Sequence, residues 1–131
     1  VSVGNPHCVV FKQAGQSWSR EDLLKLGPIL ENHAYFPNRT NVQLAVPTGP
    51  KELFILIWER GAGETQASGS SSCAAASAAV RLGLVKSPVR VKMPGGQLNI
   101  EVAQDFSLTM KGPVAEVARG SLSPSFVRSL R

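Results

Sequence analysis

The residues with the clearest chemical potential lie in one segment, Trp58–Ala79, which reads WERGAGETQASGSSSCAAASAA. Glu59 and Arg60 lead into a glycine-rich turn, and the turn leads into a helix made almost entirely of Ala and Ser. A loop of this kind at the start of a helix can hold an anionic group against free backbone N–H donors. The segment therefore predicts an anion-binding helix start.

The composition indicates one ordered domain. The chain has 131 residues, of which 43% are hydrophobic and 18% charged, and its net charge is +5. The basic residues are scattered and the aromatic residues sparse, which argues against a nucleic-acid-binding surface. The longest apolar run, Leu53–Trp58, is far too short for a membrane helix. Two cysteines are too few for a disulfide scaffold and indicate a reducing compartment, the cytoplasm.

Two helices are predicted to position these residues. Ser19 is a good N-cap for an amphipathic helix over Arg20–Leu30, whose leucines fall on one side. The Ala/Ser-rich helix, from about Ser70 to Leu82, has no polar face and is expected to be buried. Gly83 is expected to cap its C-terminus.

The remaining pattern predicts strands separated by turns rich in Gly and Pro. They are expected at Val9–Phe11, Asn38–Val46, Glu52–Trp58, Val89–Met93, Gln97–Ala103, Phe106–Lys111 and Val114–Ala118. The second and third would form one hairpin, and the fourth and fifth another. Together these elements indicate an α+β domain whose strands wrap the buried central helix, with the amphipathic helix outside. We expect the domain to cover residues 1–122, followed by a tail over 123–131.

Three separated motifs resemble a single family. They are Gly4-Asn5-Pro6-His7-Cys8, the segment PNRTNV at 37–42 and the segment WERGAGET at 58–65, followed by Pro94-Gly95-Gly96 and Gly112-Pro113. In this order they are similar to the C-terminal half of diaminopimelate epimerase, and the resemblance covers roughly residues 1–122. Each motif alone would be a weak signal, but three in order are specific.

This resemblance implies a diaminopimelate-epimerase-like fold and an isomerase of lysine biosynthesis that uses neither pyridoxal phosphate nor a metal ion. Its substrate, an amino acid with two ammonium and two carboxylate groups, would lie between two domains, each supplying one cysteine. Inversion of a stereocentre through a planar carbanion needs a base on one side and an acid on the other. An N-terminal half-domain is therefore the expected partner. A homodimer is a second possibility, because the face of the domain toward that partner would be exposed.

The resemblance also carries site residues onto this chain by position. It assigns substrate contacts to Asn5, Asn41, Glu59 and Arg60, and backbone N–H donors for the α-carboxylate to Gly69 and Ser70. Arg60 would bind the distal carboxylate, and Glu59 would meet the distal ammonium or assist the base. His7 matches a family histidine that lies near the other domain's cysteine. Without the resemblance, Glu59 and Arg60 would be interpreted as a surface ion pair, and Asn5 and Asn41 as residues that shape turns.

Ser68 departs from the family pattern because it occupies the position of the family's base cysteine. If its hydroxyl resembles water, it is a weaker acid than a thiol by about 7 pKa units, which corresponds to about 10 kcal/mol. We therefore expect this chain alone to be inactive, and Cys8 and Cys73 to be buried core residues. Two alternatives remain open, a related racemase or dehydratase and a non-catalytic amino-acid-binding domain.

Overall fold

All 131 residues are described by the computed structural model. The elements are β1 (His7–Phe11), α1 (Arg20–Glu31), β2 (Asn41–Gly49), β3 (Glu52–Glu59), β4 (Gly63–Thr65), α2 (Gly69–Arg81), β5 (Val89–Met93), β6 (Gly96–Val102), β7 (Leu108–Lys111) and α3 (Pro124–Ser129). The strands form one sheet in the order β1-β2-β3-β5-β6-β7, with β4 paired to β3. Both predicted hairpins, β2–β3 and β5–β6, are present. The α+β prediction is confirmed.

The sheet curves around α2, which packs against β1, β2, β3, β5, β6 and β7. Ala74, Ala75, Ala76 and Ala79 of this helix are completely buried. Their side chains are short enough for the strands to approach the helix backbone closely, and Ile55, Ile57, Val91 and other apolar side chains of the sheet complete this core. The central helix predicted from the Ala/Ser pattern is therefore confirmed.

The other helix, α1, packs on the opposite face of the sheet against β2, β3 and β4. Its N-cap is Ser19, whose Oγ atom accepts from the Asp22 backbone N–H while the Ser19 backbone N–H donates to the Asp22 carboxylate, which forms a capping box. The helix continues through Pro28 to Glu31, one residue beyond the predicted end. Gly27 lies under Trp58, and a Cβ there would lie 2.6 Å from the indole ring.

The predicted strand at Val114–Ala118 is wrong. These residues are exposed and have no partner strand, because the chain leaves the sheet edge after β7 at Gly112-Pro113. A proline cannot donate a ladder hydrogen bond, so it ends the pairing. The structure also contains two elements that the pattern did not predict, the three-residue polar strand β4 and the exposed helix α3. None of the helices is both long enough and apolar enough to cross a membrane.

Candidate functional site

The predicted site residues gather at one end of the sheet. Strands β1 and β2 are parallel and begin there, and β3, antiparallel to β2, ends there. The N-terminal turn of α2 reaches the same end, since the Gln43 amide on β2 donates to Ser71 Oγ at 2.9 Å. This topology collects the segments that carry Asn5, His7, Asn41, Glu59, Arg60, Ser68, Gly69 and Ser70.

Asn41 ties three of these segments together. Its Nδ2 atom donates to the Pro6 carbonyl at 3.0 Å, and its Oδ1 atom accepts from the Arg60 backbone N–H at 2.9 Å. The side chain is buried. Asn41 therefore fixes the start of β1 relative to the end of β3, and both ends of its amide are engaged within the protein.

Glu59 and Arg60 do not form the surface ion pair that their sequence adjacency would allow. The Glu59 carboxylate takes part in no ion pair. The Arg60 guanidinium is exposed, and its Nη1 atom donates to the Asn38 carbonyl at 3.0 Å. The two charged groups are therefore both available to a third group at this end of the sheet.

His7 is buried at the start of β1, with only 3% of its surface exposed. Its Nε2 atom lies 2.9 Å from Asn5 Oδ1. Burial lowers the pKa of His7, and the neighbouring Gln43 side chain acts in the opposite direction. The turn that brings Asn5 back to the imidazole uses Gly4 at φ +104°, a conformation that glycine adopts without strain.

The N-terminus of α2 is capped by Ser68, whose Oγ atom accepts from the Ser71 N–H at 3.4 Å. Helix geometry leaves the N–H groups of Gly69 and Ser70 without an intrahelical acceptor. Gly69 is closely backed by β7, because a Cβ there would lie 3.0 Å from the Met110 sulfur. The helix start is thus fixed in place, with Ser68 at its tip.

Sequence reasoning missed Glu31, which supports the loop after β3. This buried carboxylate accepts from Trp58 Nε1 at 2.8 Å, from the Gly61 N–H at 2.8 Å and from Arg39 Nη1 at 3.0 Å. These bonds, that from Trp58 first, hold the pKa of Glu31 below its usual range. One sequence signal could have indicated it: Glu31 is an acidic residue in the last turn of a helix, where the helix dipole disfavours a negative charge.

Both cysteines are only partly buried. The prediction that they are fully buried core residues is therefore wrong. Burial still raises the pKa of both thiols, which keeps them protonated near neutral pH, so little of the reactive thiolate is present. Cys73 lies five residues after Ser68 and within the helix. No three His, Cys, Asp or Glu side chains are placed to hold a metal ion together.

A cleft of about 630 Å³ lies at the other end of β3, lined by polar residues that include Glu52, Arg90 and Lys111. Glu52 and Glu59 begin and end β3, so this cleft is separated from the gathered residues by the length of the strand. At the end with the gathered residues, His7 and Asn41 are buried, whereas Glu59 and Ser68 are partly exposed and Arg60 and Ser70 are exposed. A second surface would have to cover them to form an enclosed site.

The fold and these groups define a class, an α+β domain that presents amide, imidazole, carboxylate and guanidinium groups around the start of a sheet-wrapped helix. The chain belongs to the diaminopimelate epimerase family, whose model matches residues 1–117. It is 48% identical over 122 residues to diaminopimelate epimerase 2 of Nostoc sp. and 43% identical to the diaminopimelate epimerase of Desulfitobacterium hafniense. Each match covers 93% of this chain but only 42% of the relative, so the chain spans about two-fifths of their length.

Solved structures support the fold assignment. A phenazine biosynthesis protein of the PhzF family from Bacillus anthracis superposes with a TM-score of 0.55 at 15% identity. The match covers 82% of this chain and 34% of that protein. At this identity the similarity concerns the fold alone.

Proposed function

We propose that this chain forms one half of the active site of a cofactor-independent diaminopimelate epimerase. In this proposal the N–H groups of Gly69 and Ser70 hold the reacting carboxylate. Arg60 binds the distal carboxylate, and Glu59 contacts the distal ammonium or assists the base at position 68. Asn5 contacts the substrate, and His7 serves the acid or base on the opposite face of the α-carbon. Asn41, whose amide is occupied at both ends, shapes the pocket and does not itself contact the substrate.

The observation that carries the proposal is the meeting of these groups at one end of the sheet. Removal of an α-proton places negative charge on the carboxylate, and N–H groups at a helix start stabilise such charge. Arg60 and Glu59 lie at the same end of the sheet as this helix start and are not paired with each other. A substrate with one carboxylate and one ammonium away from the reacting carbon would complement them.

Ser68 decides whether this half-site can transfer a proton. A thiol at a helix N-terminus is a stronger acid than a free thiol because the helix dipole stabilises the thiolate. A serine hydroxyl at the same tip stays protonated at neutral pH and serves as the helix cap. We therefore propose that the chain retains substrate binding and lacks the group for proton transfer.

The test joins this chain to the remaining portion of the Nostoc relative and measures loss of the substrate α-proton signal in deuterated water. With Ser68 the exchange should be close to background. Ser68→Cys should raise it at least about 100-fold, because a positioned general base contributes a factor of this order.

Ser70→Cys is the matched control, since it places a thiol on the next exposed serine of the same turn. An equal gain from Ser70→Cys would remove the special role of position 68. Rapid exchange with Ser68 unchanged would contradict the proposed loss of proton transfer.

The alternative of an amino-acid-binding domain without turnover is favoured by one observation, the capping role of Ser68. The same joined protein distinguishes this alternative from an epimerase half-site that lacks only its base. Diaminopimelate would then bind to both forms, as calorimetry would detect, but Ser68→Cys would add no exchange.

A further inference from the structure

Arg39 has a backbone conformation that is unusual for a residue with a side chain. Its φ is +60°, and the only other non-glycine residue with a positive φ is Phe106. This conformation is unfavourable for L residues and persists only where the surrounding structure holds it. Strained residues of this kind cluster at ligand-binding sites, and Arg39 lies in the segment that leads into β2 at the functional end of the sheet.

Arg39 is held through both its side chain and its backbone. Its Nη1 atom donates to Glu31 Oε1 at 3.0 Å, and the same carboxylate oxygen accepts from the Gly61 N–H at 2.8 Å. The guanidinium lies over Gly61, where a Cβ would be 3.8 Å from Arg39 Nη2. The Arg39 backbone N–H donates to the Phe36 carbonyl at 2.8 Å. These contacts fix Arg39 against the loop that follows β3.

The φ angle of Arg39 sets the direction of the Asn38 carbonyl. This carbonyl and the Arg39 nitrogen belong to one planar peptide unit, which turns as a whole about the N–Cα bond of Arg39. The Asn38 oxygen accepts from Arg60 Nη1 at 3.0 Å. The backbone of Arg60 is fixed separately, since its N–H donates to Asn41 Oδ1 at 2.9 Å. Arg39 therefore directs the one acceptor that the Arg60 guanidinium has within the chain.

The bond to Asn38 leaves one edge of the Arg60 guanidinium free. On this edge the N–H groups of Nε and Nη2 are parallel and match the two oxygens of a carboxylate. Arg20 shows the same geometry within this protein, because its Nε and Nη2 atoms donate to the two carboxylate oxygens of Glu64 at 2.9 and 2.7 Å. In Arg60 the corresponding edge makes no hydrogen bond to the chain.

We propose that Arg39 is a positioning residue that, together with Glu31, directs the Asn38 carbonyl to Arg60 and so presents the Nε–Nη2 edge of Arg60 to a carboxylate. An exposed arginine otherwise loses rotamer freedom when it binds a ligand, and prior ordering lowers that cost. The identity of the carboxylate as the distal one of diaminopimelate rests on the proposed function. The ordering of Arg60 by Arg39 does not.

The first test measures the order of the Arg60 side chain in the full chain by NMR. The heteronuclear NOE of each arginine ¹H–¹⁵Nε pair reports motion on the ps–ns timescale. Arg131, the exposed last residue, provides the mobile reference. Arg60 should give a clearly higher value than Arg131. Equal values in the wild type would overturn the proposal without any variant.

Substitutions at position 39 then test the cause. Arg39→Ala removes the group that Glu31 holds, so the value for Arg60 should fall toward that of a mobile arginine. Arg39→Gly meets the positive φ without strain, so it should fold and show the same loss. Arg39→Lys keeps a cation beside Glu31 and should retain most of the order, because Glu31 accepts from one nitrogen of Arg39 only. Unchanged order in the alanine and glycine variants would overturn the proposal.

Arg90→Ala is the matched control. Arg90 is 55% exposed and pairs with Glu52 at 3.7 Å at the opposite end of β3, whereas Arg39 is 52% exposed and pairs with Glu31. It should leave the order of the Arg60 side chain unchanged. An equal loss from Arg90→Ala would mean that Arg60 responds to general loosening of the fold and would contradict the assignment.

The second test compares the binding of diaminopimelate and of free lysine, which lacks one of its two carboxylates, to this chain joined to the remaining portion of the Nostoc relative. Calorimetry should show diaminopimelate binding weakened about 10-fold by Arg39→Ala and lysine binding nearly unchanged, because only diaminopimelate uses the free edge of Arg60. Equal weakening of both ligands would contradict a positioning role. Absence of diaminopimelate binding in every form would contradict the proposed function, and the NMR result would still decide whether Arg39 orders Arg60.

Discussion

At the scale of single residues, buried polar side chains set the geometry of the half-site. Asn41 joins the start of β1 to the end of β3, and Glu31 joins α1 to the loop that carries Gly61. Neither acts alone, because each bridges backbone or side-chain donors from distant segments. Loss of one partner would leave buried donors unmet, which costs more than the bond itself contributes.

Glu31→Gln should lower the free energy of unfolding at pH 7 by about 1–3 kcal/mol, because it removes a charged acceptor from Trp58, Gly61 and Arg39. The pKa of Glu31 is lowered in the folded state. Its contribution is therefore complete above the unfolded pKa, about 4.3, and is lost as the pH falls through the lower folded value. Urea unfolding across this acid range should show the wild-type advantage shrinking.

Glu101→Gln is the matched control for this measurement, since Glu101 is exposed on β6 and has no ion-pair partner. Its effect should stay within about 0.5 kcal/mol. An equal loss at both positions, or a Glu31→Gln effect that persists unchanged in acid, would show that the carboxylate does not act as described.

At the scale of elements, the β5–β6 hairpin supports the loop that enters α2. The Gly95 N–H donates to the Gln66 carbonyl at 2.7 Å. A Cβ at Gly95 would lie 2.8 Å from that oxygen and 3.1 Å from Ala67 Cβ. The glycine in this turn is therefore required by the close approach of two backbones, one of which leads to Ser68.

Gly95→Ala should displace the loop at 66–68 and destabilise the chain by about 1–3 kcal/mol, because the crowding atoms are mainly backbone and cannot rotate away. The largest amide chemical-shift changes should fall on residues 66–71. Gly120→Ala, with open space around its Cβ position, is the control and should change neither stability nor these shifts. Shifts confined to the hairpin would mean that the loop does not depend on it.

Sequence patterns predicted the elements that carry strong periodicity and missed those that depend on neighbours. The Ala/Ser helix and both hairpins have local signals in side-chain size and in Gly and Pro turns. The strand β4, by contrast, consists of Gly63, Glu64 and Thr65, and it exists because β3 offers a free edge. The failed strand at Val114–Ala118 shows the converse, since a β-branched pattern forms no strand without a partner.

The candidate site shows the same contrast between residues with a local sequence signal and residues whose role depends on distant partners. The motifs named Asn5, His7, Asn41, Glu59 and Arg60 as candidates, and the structure places all five at one end of the sheet. Glu31 and Gln43 were not found, since their importance comes from partners 28 to 30 residues away, Ser71 for Gln43 and Gly61 for Glu31. The sequence also could not predict that the Asn41 amide is occupied. A sequence shows that an amide is present, but not which backbone groups it will contact in the fold.

At the scale of the whole molecule, the sheet and the tail both leave surfaces unpaired. The sheet order ends at β1 and β7, so each of these strands has a partner on one side only. The tail that leaves the sheet, residues 113–131, begins before the predicted tail at 123, and it forms hydrogen bonds only within itself. Within this tail Val114 is 96% exposed and Val117 95% exposed. Exposed apolar segments beside an open sheet edge favour association with another chain.

We expect a chain ending at Pro113 to keep its free energy of unfolding within about 0.5 kcal/mol, because every residue of the tail is exposed. In sedimentation experiments the full chain should gain mass with concentration, and the shortened chain should gain less. Full-length Val114→Ser/Val117→Ser, which keeps the tail but removes apolar surface, should resemble the shortened chain. Undiminished association after truncation would assign it to the open edges of β1 and β7, and loss of folding would show that the tail belongs to the domain.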